Sequence, residues 1–238
     1  MAPSLKLFYF GFAGRAEITR MLLNYGDLEF EEQNFSFAEW GADWKAKMEG
    51  VAYGQVPVLE VDGKALSQST AIERYVAKLA GLYPEDAWEA AKVDEAASLA
   101  YEVFDILLHS VNSKMSREEK TAARKEVAAG PLKAKFAEIT KLLSRAGGQF
   151  LTGPKETMAD FVLFFIISAA ASGAFDGLST DLMDPYPELK AYHARVAALP
   201  AIAKMYSDVN EPAVEGAGAT HMPGLSYKQL PLEAAVSA

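Results

Sequence analysis

The stretch from Gly54 to Val76, GQVPVLEVDGKALSQSTAIERYV, limits the possible folds more than any other part of the chain. Asp62-Gly63 separates two short β-forming segments and is a strong signal for a β-hairpin. Apolar residues then recur with the spacing of a helix, at Ile72, Tyr75, Val76 and Leu79. Ser69 or Thr70 can cap this helix, and Thr70 with Glu73 has the spacing of a capping box. A hairpin therefore leads directly into a helix whose first N–H groups favour an anion.

Composition and charge exclude several classes of function. The chain has 238 residues, a net charge of −9 and no cysteine. The negative charge argues against nucleic-acid and anionic-membrane partners, and the lack of cysteine excludes disulfides, thiolate metal sites and cysteine nucleophiles. No histidine has a partner at metal-ligand spacing, so we expect no metal site. The first residues lack a signal-peptide pattern and the longest apolar run, Phe161 to Ala171, is too short to span a membrane, so we expect a cytoplasmic protein.

Strand and helix patterns divide the chain near residue 82. Strands are predicted at 5–10, 28–35 and in a hairpin at 56–67, with helices at 14–25 and 69–80. After residue 83 only helices are predicted, at 87–112, 117–145 with a break at Gly130-Pro131, 158–171 and 187–206. Thr157 and Asp160 have the spacing of a capping box before the third of these helices. We therefore expect an α/β domain with a mixed four-stranded sheet over 1–82, an all-α domain over 87–207 and a mobile tail over 208–238.

Several separated motifs occur together in this chain. They are Tyr9-Phe10 before Gly14-Arg15-Ala16-Glu17, Trp44 before Tyr53-Gly54-Gln55-Val56-Pro57, Gln68-Ser69, Val93-Asp94, the Thr157–Asp160 box and Leu199-Pro200. In this order they resemble the tyrosine-type cytosolic glutathione transferases, the sigma, pi and mu classes, and sigma most. The resemblance covers about residues 4 to 206. It implies a thioredoxin-like domain followed by an all-helical domain, a homodimer, and conjugation of reduced glutathione to hydrophobic electrophiles in detoxification, without a permanently bound cofactor.

The resemblance assigns the catalytic step to Tyr9. A free thiol such as that of glutathione has a pKa near 8.5, and its thiolate is the nucleophile. A phenol O–H that donates to the sulfur stabilises the thiolate selectively, and the resemblance places the charge of Arg15 close by, where it lowers the thiol pKa further. Without the resemblance, Tyr9 would be predicted to be an aromatic residue packed at the end of a strand. The resemblance therefore predicts that Tyr9 and Arg15 are catalytic.

The resemblance also implies how the tripeptide is held. The γ-glutamyl carboxylate is expected on Gln68 and Ser69, at the start of the helix after the hairpin. The backbone of Val56 is expected to pair with the cysteinyl part, as in the addition of a strand to a sheet edge, and the following Pro57 is expected to be cis. The anion favoured by the helix start is thus predicted to be a carboxylate of glutathione.

Other positions match glutathione contacts of the family, namely Trp44, Gln55 and, across the dimer, Glu102. Met48 stands where the sigma and mu classes have a basic residue for the glycine carboxylate, so Lys47 or Lys45 is expected to replace it. Glu102 stands in place of the usual Asp that faces the ammonium group of the substrate, and the alternative is an ordinary exposed carboxylate on a helix.

Tyr53 matches an aromatic residue that pi, mu and alpha relatives insert between helices of the partner subunit, so it is the expected dimer anchor. Arg74 and Asp94 are expected either to pair across the same interface or to be ordinary solvated charges. The electrophile is expected in a pocket with apolar walls, formed by Phe10, Phe12, Phe104 and Leu108.

The sequence leaves two alternatives to conjugation open. One is a glutathione-dependent isomerase or peroxidase of the sigma type, although Ser98, Tyr101 and His109 align with the tryptophan and acidic cluster of sigma-class prostaglandin D synthases. Another is a non-enzymatic relative, a ligand carrier or lens crystallin. A purely structural protein has no need of the catalytic and binding set that is present here, namely Tyr9, Arg15, Gln68 and Ser69, so this set argues against the non-enzymatic reading.

Overall fold

The protein is described by a computed structural model over residues 2–173 and 175–206. Within those residues the chain divides into two compact units, the first made of residues 2–82 with 204–206 and the second of residues 83–203. The tail predicted from residue 208 onward lies outside the described residues.

The first unit is built on a mixed four-stranded sheet, as the sequence predicts. Its strands are β1 (Leu5–Phe10), β2 (Glu31–Phe35), β3 (Val58–Val61) and β4 (Lys64–Ser67). They lie in the order β2-β1-β3-β4, with β1 parallel to β2 and the other neighbours antiparallel. Side chains alternate between the two faces of a strand, and on β1 the buried ones are Leu5, Leu7 and Tyr9. Tyr9 therefore stands on the buried face of an inner strand.

The helices of the first unit are α1 (Glu17–Tyr25), α2 (Phe37–Glu39), α3 (Lys45–Ala52) and α4 (Ser69–Leu79), with a π-helical stretch, Trp40–Trp44, between α2 and α3. The helix predicted over 14–25 begins only at Glu17. Residues 14–16 instead form a turn, in which the N–H of Glu17 donates to the carbonyl of Gly14 at 3.0 Å. This turn fixes the loop that follows Tyr9.

The second unit is helical. Its elements are α5 (Ala87–His109), α6 (Arg117–Val127), α7 (Lys133–Arg145), α8 (Met158–Ala171), α9 (Pro187–Ala197) and most of α10 (Pro200–Met205). Almost every residue of α8 is buried, against α5 and α9. No strand occurs among the described residues of this unit, and no helix in the described part of the chain is long and apolar enough to cross a membrane.

Two predicted helix limits are corrected by the structure. The break predicted at Gly130-Pro131 is a π-helical stretch, Ala128–Leu132, which joins α6 directly to α7. Proline lacks an N–H and clashes with the carbonyl one turn earlier, and a local π-helical widening accommodates both effects. The helix predicted over 187–206 is divided into α9 and α10 before Pro200, because a proline ends the preceding helix and suits the first position of the next.

The capping box predicted before α8 is confirmed. The backbone N–H of Thr157 donates to Asp160 Oδ2 at 2.8 Å. The other oxygen, Oδ1, accepts the N–H of Leu151 and the hydroxyl of Tyr192, both at 2.9 Å. Burial raises the pKa of Asp160 to about 6. This carboxyl group therefore organises the core of the second unit.

Candidate active site

A cleft of about 500 Å³ lies in the first unit, within the size range of small-molecule sites. It is lined by Phe10, Arg15, Trp40, Gly54, Gln55, Val56, Pro57, Gln68 and Ser69. The structure thus brings together most of the residues predicted to hold the tripeptide. The Val56–Pro57 peptide bond is cis, as predicted.

The start of α4 forms one end of this cleft. Gln68 precedes the helix with φ of +72°, and no side chain caps the first turn. The capping box predicted from Thr70 and Glu73 is therefore wrong. The helix begins at Ser69, so Thr70 already lies within the first turn, and Glu73 is fully buried. A helix N-terminus without a side-chain cap offers N–H donors to an anion in the cleft.

The hydroxyl of Tyr9 is held by the loop after β1, which carries Arg15, although Tyr9 itself is not among the residues that line the cleft. The backbone N–H of Arg15 donates to Tyr9 Oη at 3.0 Å, and the side chain of Tyr9 is buried. Burial raises the pKa of Tyr9, although the Arg15 N–H and the charges of Arg20 and Arg15 act in the opposite direction. The phenol therefore keeps its proton at neutral pH, and with the Arg15 N–H directed at its oxygen it can donate that proton to a ligand.

Gly14 makes room for this hydroxyl. A Cβ atom at Gly14 would lie 2.6 Å from Tyr9 Oη and 3.3 Å from Cε2 of Phe12. The sequence motif included Gly14 but assigned it no role. Only a residue without a side chain fits against the Tyr9 hydroxyl here.

A buried charged cluster lies under the same loop. Arg20 on α1 is 2% exposed and pairs with Glu17 at 3.0 Å, and its Nε donates to Oε1 of Glu32 at 2.6 Å. Oε1 of Glu17 accepts the hydroxyl of Tyr206 at 2.5 Å. Burial raises the pKa of Glu17, and the charge of Arg20 and the Tyr206 hydrogen bond oppose that effect. None of these contacts follows from a motif or a spacing in the sequence.

Comparison with known proteins identifies the family. The N-terminal domain of glutathione S-transferase matches residues 3–78, and the glutathione S-transferase C-terminal domain matches residues 104–207. The chain is 34% identical to hematopoietic prostaglandin D synthase of Gallus gallus over 84% of this chain and 94% of that protein. The chain belongs to the glutathione S-transferase family. It is a glutathione transferase with a mixed-sheet N-terminal unit, a helical C-terminal unit and glutathione as its co-substrate.

Further relatives agree with this assignment. The transferase is 32% identical to probable glutathione S-transferase 8 of Caenorhabditis elegans, over 80% of this chain and 89% of that protein. A solved structure of prostaglandin synthase D of Nilaparvata lugens has a TM-score of 0.75 and 28% identity, covering 88% of this chain and all of the other.

Three residues of the first unit that were predicted to bind glutathione do not line the cleft. Among its described lining residues there is neither Tyr9, Trp44 nor Lys47. Trp44 stacks on Phe35, with ring centroids 5.3 Å apart, and the ammonium of Lys47 pairs with Asp43 and lies over the Trp44 ring at 4.7 Å. Trp40, which sequence analysis did not consider, lines the cleft instead.

The remaining glutathione candidates of the transferase, Lys45 and Glu102, are not among the lining residues of this cleft. Lys45 is exposed, and Met48, which stands in place of the usual basic residue, is buried in an apolar cluster. Glu102, in the second unit, accepts a hydrogen bond from the ammonium of Lys135 at 2.6 Å. Its predicted role across a dimer stays a prediction.

The four residues predicted for the electrophile pocket are divided between the two units. Phe10 and Phe12 stack with ring centroids 5.5 Å apart in the first unit, beside the cleft. In the second unit Phe104 is buried near Phe165, and Leu108 is half-buried. No group of three or more residues able to hold a metal ion occurs in the described part of the chain.

Proposed function

We propose that this transferase activates glutathione through a hydrogen bond from the Tyr9 hydroxyl to the thiolate, and transfers the thiolate to hydrophobic electrophiles. The observation that carries this proposal is the geometry of Tyr9: a buried, protonated phenol whose oxygen already accepts the Arg15 N–H at 3.0 Å. Its own O–H is the donor that remains for a substrate. A thiol pKa lowered by about two units corresponds to roughly 2.7 kcal/mol, which is within the range of one charge-assisted hydrogen bond.

The cleft supports a mode of binding for the tripeptide. The uncapped start of α4, where the largely buried Ser69 lines the cleft, suits the γ-glutamyl carboxylate. The backbone of Val56 suits the cysteinyl part, and Arg15 supplies a positive charge at the other side of the lining. We assign Trp40 rather than Trp44 to the tripeptide, because Trp40 lines the cleft.

The test is the ultraviolet thiolate absorbance of bound glutathione against pH, measured with the conjugation rate of a halonitroarene. In Tyr9→Phe the ring remains and only the donor is lost, so the pKa of the bound thiol should rise by about one to two units and the rate at pH 6.5 should fall roughly ten- to hundredfold. Tyr186→Phe, at a half-buried phenol of the second unit, controls for the loss of one phenol from the spectrum. If Tyr9→Phe titrates like the wild type, Tyr9 does not activate the thiol.

The proposed enzyme takes its electrophile on the aromatic side of the cleft. Phe10 and Phe12 stack there, and Phe37 lies 4.6 Å from the Phe10 ring. Apolar walls of this kind favour a hydrophobic partner, and the family supports a cytoplasmic role in detoxification. Conjugation assays with halonitroarenes, isothiocyanates, enals and hydroperoxides distinguish the electrophile classes and reveal any peroxidase activity.

The proposed assembly is a homodimer anchored by Tyr53. This side chain is 78% exposed at the end of α3, and its backbone has φ of +58°, which is unusual for a bulky residue. A groove of about 460 Å³ between α5 and α7 includes Leu99 and Leu142 in its lining and can receive such a ring from a second copy. An aromatic side chain that fills a partner's pocket is a common centre of binding energy.

Glutathione-dependent isomerisation is the second candidate. The observation that favours it is that two of the relatives named above are prostaglandin D synthases. Direct assay of prostaglandin isomerisation beside the conjugation assay separates the two activities, and Tyr9→Phe should reduce either one if both depend on the thiolate.

A further inference from the structure

The loop of residues 11–16 carries the groups that hold the Tyr9 hydroxyl, and one buried side chain holds this loop. The guanidinium of Arg20 donates to the carbonyl oxygens of Phe10 and Phe12, each at 3.0 Å. These two carbonyls lie on either side of a single residue. Arg20 therefore determines the direction in which the backbone leaves β1.

The same guanidinium is also oriented by the carboxylates of Glu17 and Glu32. Oε2 of Glu17 accepts one N–H at 3.0 Å, and Oε1 of Glu32 accepts the Nε–H at 2.6 Å. Tyr206, from the part of the first unit that is most distant in sequence, donates its hydroxyl to the other oxygen of Glu17 at 2.5 Å. Only the planar fork of arginine reaches acceptors in so many directions at once, and lysine does not.

Burial shows that this cluster does not touch a ligand in the cleft, so it can affect the site only through Tyr9 and the loop. Arg20 is 2% exposed and Glu17 is fully buried, so neither reaches a ligand in the cleft. The guanidinium carbon of Arg20 lies 5.7 Å from the centre of the Tyr9 ring, and its charge opposes the rise in the pKa of that phenol. Its hydrogen bonds to the backbone go to the carbonyls of Phe10 and Phe12. These two carbonyls belong to the segment that leads from β1 to Gly14 and the Arg15 amide.

We propose that Arg20, oriented by Glu17 and Tyr206, is a positioning residue for Tyr9. It holds the loop so that the Arg15 N–H and the open space at Gly14 meet the Tyr9 hydroxyl. The inference rests on the proposed function, because the position of the hydroxyl matters for the rate only if Tyr9 stabilises the thiolate.

Two variants of the full chain test the proposal. Arg20→Lys keeps the positive charge but removes the fork, so the two loop carbonyls lose a donor. Tyr206→Phe is milder, because it removes one hydroxyl and keeps the ring. In both we expect the pKa of bound glutathione to rise by about 0.5 to 1 unit and kcat below that pKa to fall about three- to tenfold, with KM for glutathione changed less than about twofold.

The chain offers a matched control for Tyr206→Phe. Tyr192 is another fully buried tyrosine, and its hydroxyl donates to the buried carboxylate of Asp160 at 2.9 Å, within the second unit. Tyr192→Phe removes the same kind of hydrogen bond and should lower stability similarly. We expect it to leave the pKa of the bound thiol unchanged, whereas Tyr206→Phe raises that pKa.

The outcomes separate the two proposals. If Tyr9→Phe raises the thiol pKa but Arg20→Lys and Tyr206→Phe titrate like Tyr192→Phe, the positioning role is refuted and the proposed function stands. If Arg20→Lys does not fold, Tyr206→Phe alone decides. In the Tyr9→Phe background Tyr206→Phe should add no further shift, and an additive shift would also refute action through Tyr9. If Tyr9→Phe itself titrates like the wild type, the proposed function fails, and the positioning role fails with it.

Discussion

An alanine at position 14 would place a methyl group against the hydroxyl of Tyr9. The Cβ atom would lie 2.6 Å from Tyr9 Oη, whereas real Cβ contacts stay above 3.0 Å. The hydroxyl or the loop must therefore move by about half an ångström or more. Gly14 does not have a positive φ, so the effect of Gly14→Ala is steric and the backbone conformation itself tolerates alanine. This makes the substitution a direct test of how closely the hydroxyl must be placed.

The expected magnitude follows from the size of the displacement. Misplacement of a catalytic group by about 1 Å can cost on the order of a hundredfold in rate, so a displacement of half that size should cost about tenfold, or about 1.4 kcal/mol of transition-state stabilisation. We expect kcat of Gly14→Ala to fall by about tenfold with a matching rise in the pKa of bound glutathione. Overpacking should also lower the unfolding free energy by about 1–3 kcal/mol.

The assay is halonitroarene conjugation with ultraviolet titration of the bound thiol, and Gly11→Ala is the matched control. A Cβ atom at Gly11 would meet only Cβ of Asn34, at 3.9 Å, so this second change in the same loop should leave both measurements unchanged. In the Tyr9→Phe background the 2.6 Å contact is absent, so Gly14→Ala should then cost little. Equal losses in Gly14→Ala and Gly11→Ala, or a full loss in the Tyr9→Phe background, would refute the steric argument.

Three further predictions follow from other parts of the structure. Ser69→Ala should weaken glutathione binding by about 1.5–3 kcal/mol in calorimetric titration, because it removes the hydrogen bond proposed to the glutamyl carboxylate, whereas Thr70→Ala should bind like the wild type. Tyr53→Ala should weaken self-association by roughly 2–4 kcal/mol, and sedimentation that shows the same loss for the exposed Trp88→Ala would contradict the anchor. Burial lowers the pKa of His193 to about 4, so the folded state resists protonation that the unfolded chain accepts near pH 6.5. As the pH falls from 6.5 to 4, the free energy of unfolding should therefore decrease by about 3 kcal/mol because of this histidine. In urea unfolding, His193→Gln should lack this part of the pH dependence.

Local patterns predicted much of the fold and of the cleft, because the relevant residues are close in sequence. The hairpin and the start of α4 lie between Gly54 and Ser69 and each has a signal of its own there, whereas the cis form of Pro57 was predicted only from the resemblance to the family. Tyr9 and Arg15 are likewise joined by a short loop. The sequence allowed more than one start for α4. The helix begins at Ser69, so Thr70 lies inside the first turn and cannot be the cap.

The rest of the site depends on contacts that no local pattern encodes. Glu17 and Arg20 have the spacing of an ordinary surface pair on a helix, and only the packing of the whole unit buries them. The partner of Glu17 is Tyr206, at the other end of the described chain. Trp40 and Trp44 lie at the two ends of a π-helical stretch, where the usual 3.6-residue period fails, so that period cannot tell which ring lines the cleft.

The buried cluster under the loop is difficult to explain by stability alone. A buried ion pair often contributes little, since desolvation of the charges offsets their attraction, and apolar replacements of similar volume can be more stable by about 1–4 kcal/mol. An apolar side chain at position 20, however, would leave the carbonyls of Phe10 and Phe12 without this donor, at a cost of about 1–3 kcal/mol for each that stays buried. The two effects are of similar size, so the net gain in stability is small. Under the positioning role proposed above, the guanidinium instead favours one conformation of the loop, in which Tyr9 Oη accepts the Arg15 N–H and the phenol proton is free to be donated to the thiolate.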